Sequence, residues 1–352
     1  MKLEINTVLL QTVCNKLTKA VSTKDIIPSL KHFLFDVTEN NIHIIAGDSA
    51  TYLEKDIACN TITELGKTSI DGKDFTKLLN KINSDTVILT TDDNKLIIKA
   101  GKSRFTLKTI NPEDYVYPEN LTLDVTGIKL DLVRLKKALK LGAITVSKNA
   151  TEIYFTGYKL GHSVMTTNRN NLTIYDYNIC NDNLLLTQQL VDLIHDLDGD
   201  TAEFGYTDDF IEIKVSGTRI IGNLLSGLEY FPDDNLLSNF NYDKVAHVAK
   251  KDLIPVLDRA LIFVDSLGAV ELNFSNGIIK SSLVGNSDVD TYEEIPFQGN
   301  VDLSIKVNVG MLADICSALD SDMIEFHLDS PESPLLLKSG QYSALMASMS
   351  VE

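Results

Sequence analysis

Two acidic runs hold the side chains of this sequence best suited to chemistry. In "NSDVDTYEE" the carboxylates of Asp288, Asp290, Glu293 and Glu294 gather closely, and a hydrolase uses carboxylates in pairs, one giving a proton while the other takes one. Acids alternating with Val289 and Tyr292, however, describe the solvated face of a strand. In "DLDGD", Asp196 to Asp200, the acid density is that of a calcium loop. Its glycine comes too early, and the twelfth position is Thr207 where a bidentate glutamate is needed. The histidines (His32, His43, His162, His195, His247, His327) are scattered without ligand spacing, and Cys14, Cys59, Cys180 and Cys316 lie far apart with no C-x-x-C. No G-x-S-x-G, H-E-x-x-H or Walker-type phosphate loop occurs. The expectation is a protein that is not an enzyme and has no metal or cofactor.

What remains is binding, and the charge distribution points to where. A net charge of −17 over 352 residues argues at first against a nucleic-acid partner. From Lys129 to Lys148, though, Lys129, Arg134, Lys136, Lys137, Lys140 and Lys148 stand against Asp131 alone, a local balance of +5 that leaves −22 on the remainder. On a helical wheel Leu132, Leu135, Leu139, Gly142 and Ala143 share an arc of about 100°, and the basic side chains fall outside it, Lys136 nearest the edge. Lysine also concentrates at Lys16, Lys19 and Lys24, at Lys73, Lys77 and Lys81, and at Lys250, Lys251 and Arg259. Two helical segments, "TQQLVDLIHDL" and "NVGMLADICSAL", carry neither lysine nor arginine.

The elements that must position these side chains recur three times. "SDTVILTTDDNKLIIKAGKSRFTLKTI" from Ser84, "GDTAEFGYTDDFIEIKVSGTRIIGNLL" from Gly199 and "SDMIEFHLDSPESPLLLKSGQYSALMAS" from Ser321 share one plan. Each is a strand, an acidic turn, a second strand, a glycine (Gly101, Gly217, Gly340) and a third strand. Apolar spacing predicts a helix opening each repeat near residues 7, 130 and 251, with Pro255 close enough to the start to be tolerated. A second helix follows midway, with Asp71, Thr187 and Asn308 as caps. Period-2 segments such as "HFLFDV", "EIYFTGY" and "IIKSSLV" add antiparallel strands. The fold class is therefore α+β, three tandem repeats of two helices and roughly eight strands, bounded by "NPEDYVYPENLTLD" and "FPDDNLLSNFNYD" into 1–122, 123–242 and 243–352. Cys14 and Cys316 fall on apolar helix patterns and are expected in the core. "MKLEINTVLL" has no apolar h-region and no stretch approaches a bilayer span, so a soluble cytoplasmic protein without a membrane partner is expected.

Three such repeats, basic helices on an acidic chain and "IIPSL" before a strand resemble the bacterial DNA polymerase III β subunit, the sliding clamp family. "AGKSRFTL", Ala100 to Leu107, is similar to the family's Gly-Arg-Ser-Arg-Phe-x-Leu strand, and "EYFPDDNLL", Glu229 to Leu237, to its Arg-Phe-Pro-Asp-Tyr linker. The likeness runs through the whole chain in order. It implies a head-to-tail homodimer closed into a ring of six repeats, helices inward and sheets outward, that encircles duplex DNA without reading sequence and tethers the replicative DNA polymerase. A clamp loader would open it. A basic bore on an acidic body suits that task, since phosphate attraction is blind to sequence and sensitive to salt. A monomeric clamp-fold module, or a decoy that binds clamp partners without encircling DNA, is the alternative.

By position, the resemblance places Lys24, Lys73, Lys148, Asn149 and Tyr154 at the DNA, joined by Lys77 and by Arg134, Lys136, Lys137 and Lys140 from the basic helices. It places Phe105 and Leu107 on one side of the dimer contact and Ile262, Phe263 and Leu267 on the other. The partner-peptide pocket would comprise Phe155, Thr167, Arg169, Asn170, Asn171, Leu172, Pro232, Leu237, Leu345, Ala347, Ser348 and Met349. Departures gather here: the family's Thr-Asp-Gly-x-Arg-Leu is "TNRNNL", and its Met-Pro-Met-Arg is "ASMS", with Glu352 running past the usual end. An altered pocket suits a clamp matched to its own unusual polymerase, such as a phage-encoded one.

Overall fold

Short polar side chains start the helices by taking their first free amides. In the computed structural model, which describes residues 1–21, 27–117, 128–149, 151–264, 268–284 and 291–350, there are six: α1 (Thr7–Leu17), α2 (Gly72–Leu79), α3 (Leu132–Gly142), α4 (Gln188–His195), α5 (Lys250–Phe263) and α6 (Val309–Ala318). Asp71, Thr187 and Asn308 cap α2, α4 and α6, accepting from the amides of Asp74, Leu190 and Met311. Asn6 does the same for α1. The repeat-opening helices begin within two residues of their expected starts, and Pro255 is accommodated inside α5. Leu132, Leu135, Leu139 and Gly142 are buried on α3, but Ala143 is exposed. It lies one residue past the helix, and Ala138 and Leu141 complete the buried face instead. A Cβ at Gly142 would meet Thr166 Cγ2 at 2.9 Å, so this turn packs where no side chain fits.

The repeated three-strand segments form as meanders. The strands are Thr86–Asp92, Lys95–Ala100 and Ser103–Ile110, then Thr201–Tyr206, Phe210–Val215 and Thr218–Asn223, then Met323–Leu328, Leu335–Ser339 and Tyr342–Met346. Their glycines hold φ of +55°, +70° and +58° at Gly101, Gly217 and Gly340, backbone that a side chain disfavours. Ser216 is also left-handed, at +49°, giving the two-residue turn that matches strand twist. By element order the three repeats hold nine, eight and eight strands and two helices each among the described residues.

Backbone pairing groups the repeats into two compact units. The first comprises Met1–Val133 and Thr187–Leu224, the second Arg134–Leu186 and Leu225–Glu352. The first unit's sheet runs from Ile128–Asp131 through the middle meander to Thr51–Ala58, Asn41–Gly47, His32–Val37, Gly66–Asp71, the first meander, Lys2–Asn6 and Thr61–Glu64. Its join between repeats is antiparallel, from Thr218 opposite Lys55 to Gly222 opposite Thr51. In the second unit's sheet Asn171–Tyr175 pairs with Tyr342–Met346, Leu172 opposite Leu345. Buried aromatics pack the core of each unit, between helix and strand in the first and between strands in the second. Phe75 of α2 meets Phe35 edge-on at 5.5 Å in the first unit, and Phe274, Phe297 and Phe326 cluster in the second. Cys14 and Cys316 are fully buried core residues whose thiols burial pushes up, that of Cys316 to about 12. No helix among the described residues is long and apolar enough to cross a membrane.

Candidate DNA-facing, partner and subunit surfaces

Basic residues on these helices reach solvent, but several are already engaged. Lys137 and Lys140 of α3 are exposed and Lys136 is half-buried. Lys137 bonds the Asp320 carboxylate; that hydrogen bond raises the lysine's pKa and lowers the aspartate's. Arg134 turns inward, its guanidinium 4.5 Å from the Tyr177 ring centre and Nη2 donating to the Asp176 carbonyl at 2.6 Å. Lys16 on α1 and Lys19 in the turn after it meet Asp198 and Asp196 at 2.5 and 2.6 Å. Lys73 is half-buried on α2, and Lys77 is exposed 3.5 Å from Asp74. Lys148 and Asn149 sit exposed in the loop after α3. Tyr154 is set apart from that group: it stacks on Tyr230 at 4.5 Å and packs against the apolar cluster of the partner site. Lys24 lies outside the described residues.

That cluster gathers Phe155, Met165, Leu172, Ile174, Leu185 and Phe231, with Leu237 and Leu345 packed against it. Thr167, Arg169, Asn170 and Asn171 form the hairpin turn beside it. Asn168 Oδ1 accepts from the amides of Asn170 and Asn171, and Thr167 Oγ1 accepts from Arg169 N and donates to Asn171 O. Where the family motif has glycine, Arg169 holds φ +77°, a conformation L residues adopt at a cost of about 1 kcal/mol. Its guanidinium lies 5.7 Å from the Phe155 ring centre and 3.0 Å from Glu152. Beneath, Thr145, Thr166 and Thr173 bond one another at 2.8 Å and fix both strands of the hairpin. Pro232 receives Lys159 Nζ at its carbonyl, 3.4 Å away. The tail pairs Ala347 N with Asn170 O, then departs: Met349 N bonds Lys306 O, and Ala347, Ser348 and Met349 line a cavity of about 540 Å³ with Glu271, Lys306 and Glu332. The turn, Leu172, Leu237 and Leu345 are thus brought together, and Met349 is placed with a different set of residues.

Besides the terminal strands of the two sheets, partly open edges occur among the described residues, two of them on Ser103–Ile110 and Glu293–Gln298. Ser103–Ile110 pairs with Lys95–Ala100 along Ser103–Lys108, and on its other side only at Thr109 and Ile110. Phe105 and Leu107 lie opposite Ile98 and Leu96 on the core face yet are only half-buried, while Arg104 and Lys108 point to solvent. In the second unit Glu293–Gln298 has a second neighbour only at Phe297 and Gln298. Beside it Ile262 and Phe263 end α5, 72% and 43% exposed. With Val256, Ala260 and Glu293 they line a cleft of about 330 Å³. Arg259 ties α5 to this edge through the Glu293 carboxylate, Nε to Oε1 at 2.9 Å. Leu267, like Asp288 and Asp290 of the acidic run, lies outside the described residues.

A charged ladder crosses the first unit's sheet, and sequence reasoning missed it. Lys129, Glu203, Lys214, Arg219 and Glu54 are successive cross-strand partners. Arg219 bonds Glu212, and its Nη1 reaches Glu54 at 3.0 Å and the Tyr117 hydroxyl at 2.9 Å. Burial alone would raise Glu54; hydrogen bonds from His43 and Tyr117 and the Arg219 charge more than reverse this and leave its pKa lowered. The bond to Glu54, then that to Asp56, hold His43 above the ordinary imidazole value against burial. Glutamate inside otherwise apolar strands ("YLEKD", "FIEIKV") was the available signal. Among the described residues no group of three or more His, Cys, Asp or Glu is placed to hold a metal.

This architecture, repeated α+β units with open edges and basic helices, is that of a clamp. The model of the DNA polymerase III beta subunit N-terminal domain matches residues 1–121, and that of its C-terminal domain matches residues 239–348. A beta sliding clamp of Mycoplasma capricolum is 23% identical over 96% of both chains. One from Staphylococcus aureus is 22% identical over 93% of this chain and 92% of its own. The DNA polymerase III subunit beta of Pseudomonas aeruginosa superposes over 100% of both chains with a TM-score of 0.91 at 18% identity. The chain belongs to the DNA polymerase III beta subunit family, and its function is that of a DNA sliding clamp, not of an enzyme.

Proposed function

We propose that two copies close head to tail into a ring of six repeats, bounded in each copy near residues 122 and 242, that encircles duplex DNA in the cytoplasm. It tethers a replicative polymerase through a peptide at the Phe155–Leu172 cluster, and a loader opens it. One observation carries this reading: among the open edges of the described residues, two are of unlike character and carry exposed or half-buried apolar side chains. Ser103–Lys108 is basic and presents Phe105 and Leu107; Glu293–Pro296 is acidic and lies beside the exposed Ile262 and Phe263. Complementary, non-identical edges favour head-to-tail pairing, and a ring leaves neither exposed to aggregation. The cleft at Ile262 is apolar and suits Phe105 or Leu107 of a second copy. Lys73, Lys77, Lys136, Lys137, Lys140, Lys148 and Asn149 supply the phosphate-facing set, with Lys24 by resemblance.

The test is topological. Loaded protein should stay on nicked circular DNA at moderate salt and slide off once the circle is cut. Equal retention on both forms would mean ordinary surface binding. Phe105→Arg should give folded monomers with no circle preference, because an unpaired charge placed in an apolar contact costs several kcal/mol by typical estimates. A folded F105R dimer would remove this edge from the closure.

A further inference from the structure

The lysine–aspartate pairs of the two units follow one rule. In each, a lysine on a repeat-opening helix or in the turn just after it bonds a carboxylate in the loop that follows the second helix of the next repeat. Lys16 of α1 and Lys19 in the turn after it hold Asp198 and Asp196 after α4, and Lys137 of α3 holds Asp320 after α6. The corresponding loop after α2, Asn80 to Asp85, has Lys81 and one acid, Asp85, next to the following strand.

Two of these carboxylates, Asp198 and Asp320, sit among more than one cation. The Lys55 charge also bears on Asp198, and those of Lys250 and Lys140 on Asp320. The pairs border clefts, one of about 200 Å³ where Lys16, Lys55, Asp196 and Asp198 join a mostly apolar wall of leucines, and one of about 360 Å³ lined by Lys137, Tyr175 and Asp320. At each place the protein's own acid occupies the lysine. Asp198 and Asp320 are 83% and 75% exposed at the side chain, and exposed pairs of this kind hold weakly and are screened by salt. A phosphate offers a lysine the same charge-assisted bond and adds counterion release on the DNA side.

We propose that Asp196, Asp198 and Asp320 stand in for DNA phosphates in the free clamp, and that Lys16, Lys19 and Lys137 exchange carboxylate for phosphate when DNA enters. The inference rests on the encirclement proposed above and adds Lys16 and Lys19 to its DNA contacts. The acids then set how firmly the ring grips, keeping it loose enough to slide.

The experiment measures binding of the full-length protein to a fluorescent blunt duplex by anisotropy across a salt series. Asp196→Asn with Asp198→Asn should tighten binding several-fold and steepen the log–log salt slope by about 1 to 2, roughly 0.9 per lysine released. Asp320→Asn should steepen it by about 0.9. Adding Lys16→Ala and Lys19→Ala to the first variant should cancel its gain. Asp208→Asn with Asp209→Asn, exposed in an outer hairpin turn, removes equal charge and should leave the slope unchanged. An unchanged slope in the Asn variants, or an equal gain in the hairpin control, overturns the exchange. Circle preference, read on the same proteins, separates the two ideas. Its loss in the unaltered protein brings down the ring and the exchange with it, whereas a kept preference with an unchanged slope brings down the exchange alone.

Discussion

Arg219 reaches Glu54, Glu212 and Tyr117 from one guanidinium, and the two glutamate side chains are 5% and 0% exposed. Arg219→Ala would take the shared cation from two buried carboxylates, leaving Glu54 to His43 and Tyr117 and Glu212 to Lys214. Breaking such a set from one side costs about 3–5 kcal/mol, read as a fall in the urea midpoint and in cooperativity of the first unit. His43, on the same ladder, carries a pH signature. Its pKa is raised on folding, so its contribution is complete below the unfolded value of about 6.5 and is lost as pH rises through the folded one. The stability advantage of the native protein over His43→Gln should therefore shrink from pH 6 upward; an advantage that grows with pH would mean the imidazole is held neutral. Neither role was legible in the sequence. Arg219 stands 165 positions from Glu54 and 7 from Glu212, and only strand pairing brings the three together. The lysines were legible as basic, but not the aspartates that hold them, for the same reason.

Helix starts were legible because capping is local: a side chain and the amide three residues on are set by the same few φ/ψ angles. Asp71→Ala, Thr187→Ala and Asn308→Ala should each cost about 1 kcal/mol, measured by denaturant melts, with the mass in solution unchanged. Ala143 was misplaced because the wheel carries no information on where a helix ends. The three meanders were legible through alternation and their glycines, whereas the pairing of Thr218–Asn223 with Thr51–Ala58 was not. Register between distant strands depends on which edges fold brings near, not on any local pattern. The partner site was half legible: Leu172 and Leu345 face each other across two strands, but the tail's turn toward Lys306 follows from backbone bonds that no motif encodes.

At the scale of the whole molecule, the acidic body and basic helices read from composition survive in three dimensions as a more even surface than the sequence implied. Carboxylates from other repeats reach Lys16, Lys19 and Lys137. The joins between repeats have a further consequence. Two of them, Thr218–Asn223 on Thr51–Ala58 and Asn171–Tyr175 on Tyr342–Met346, lie within one polypeptide. The third, between Ser103–Lys108 and Glu293–Pro296 of a second copy, would be of the same kind with no peptide linking its halves. Dilution leaves the first two untouched, since their strands are held at a fixed effective concentration. It attacks the third alone. Mass photometry across a dilution series should pass from dimer to intact monomer without loss of circular dichroism, making the number of copies in the cell the quantity that decides how long an unloaded ring stays shut.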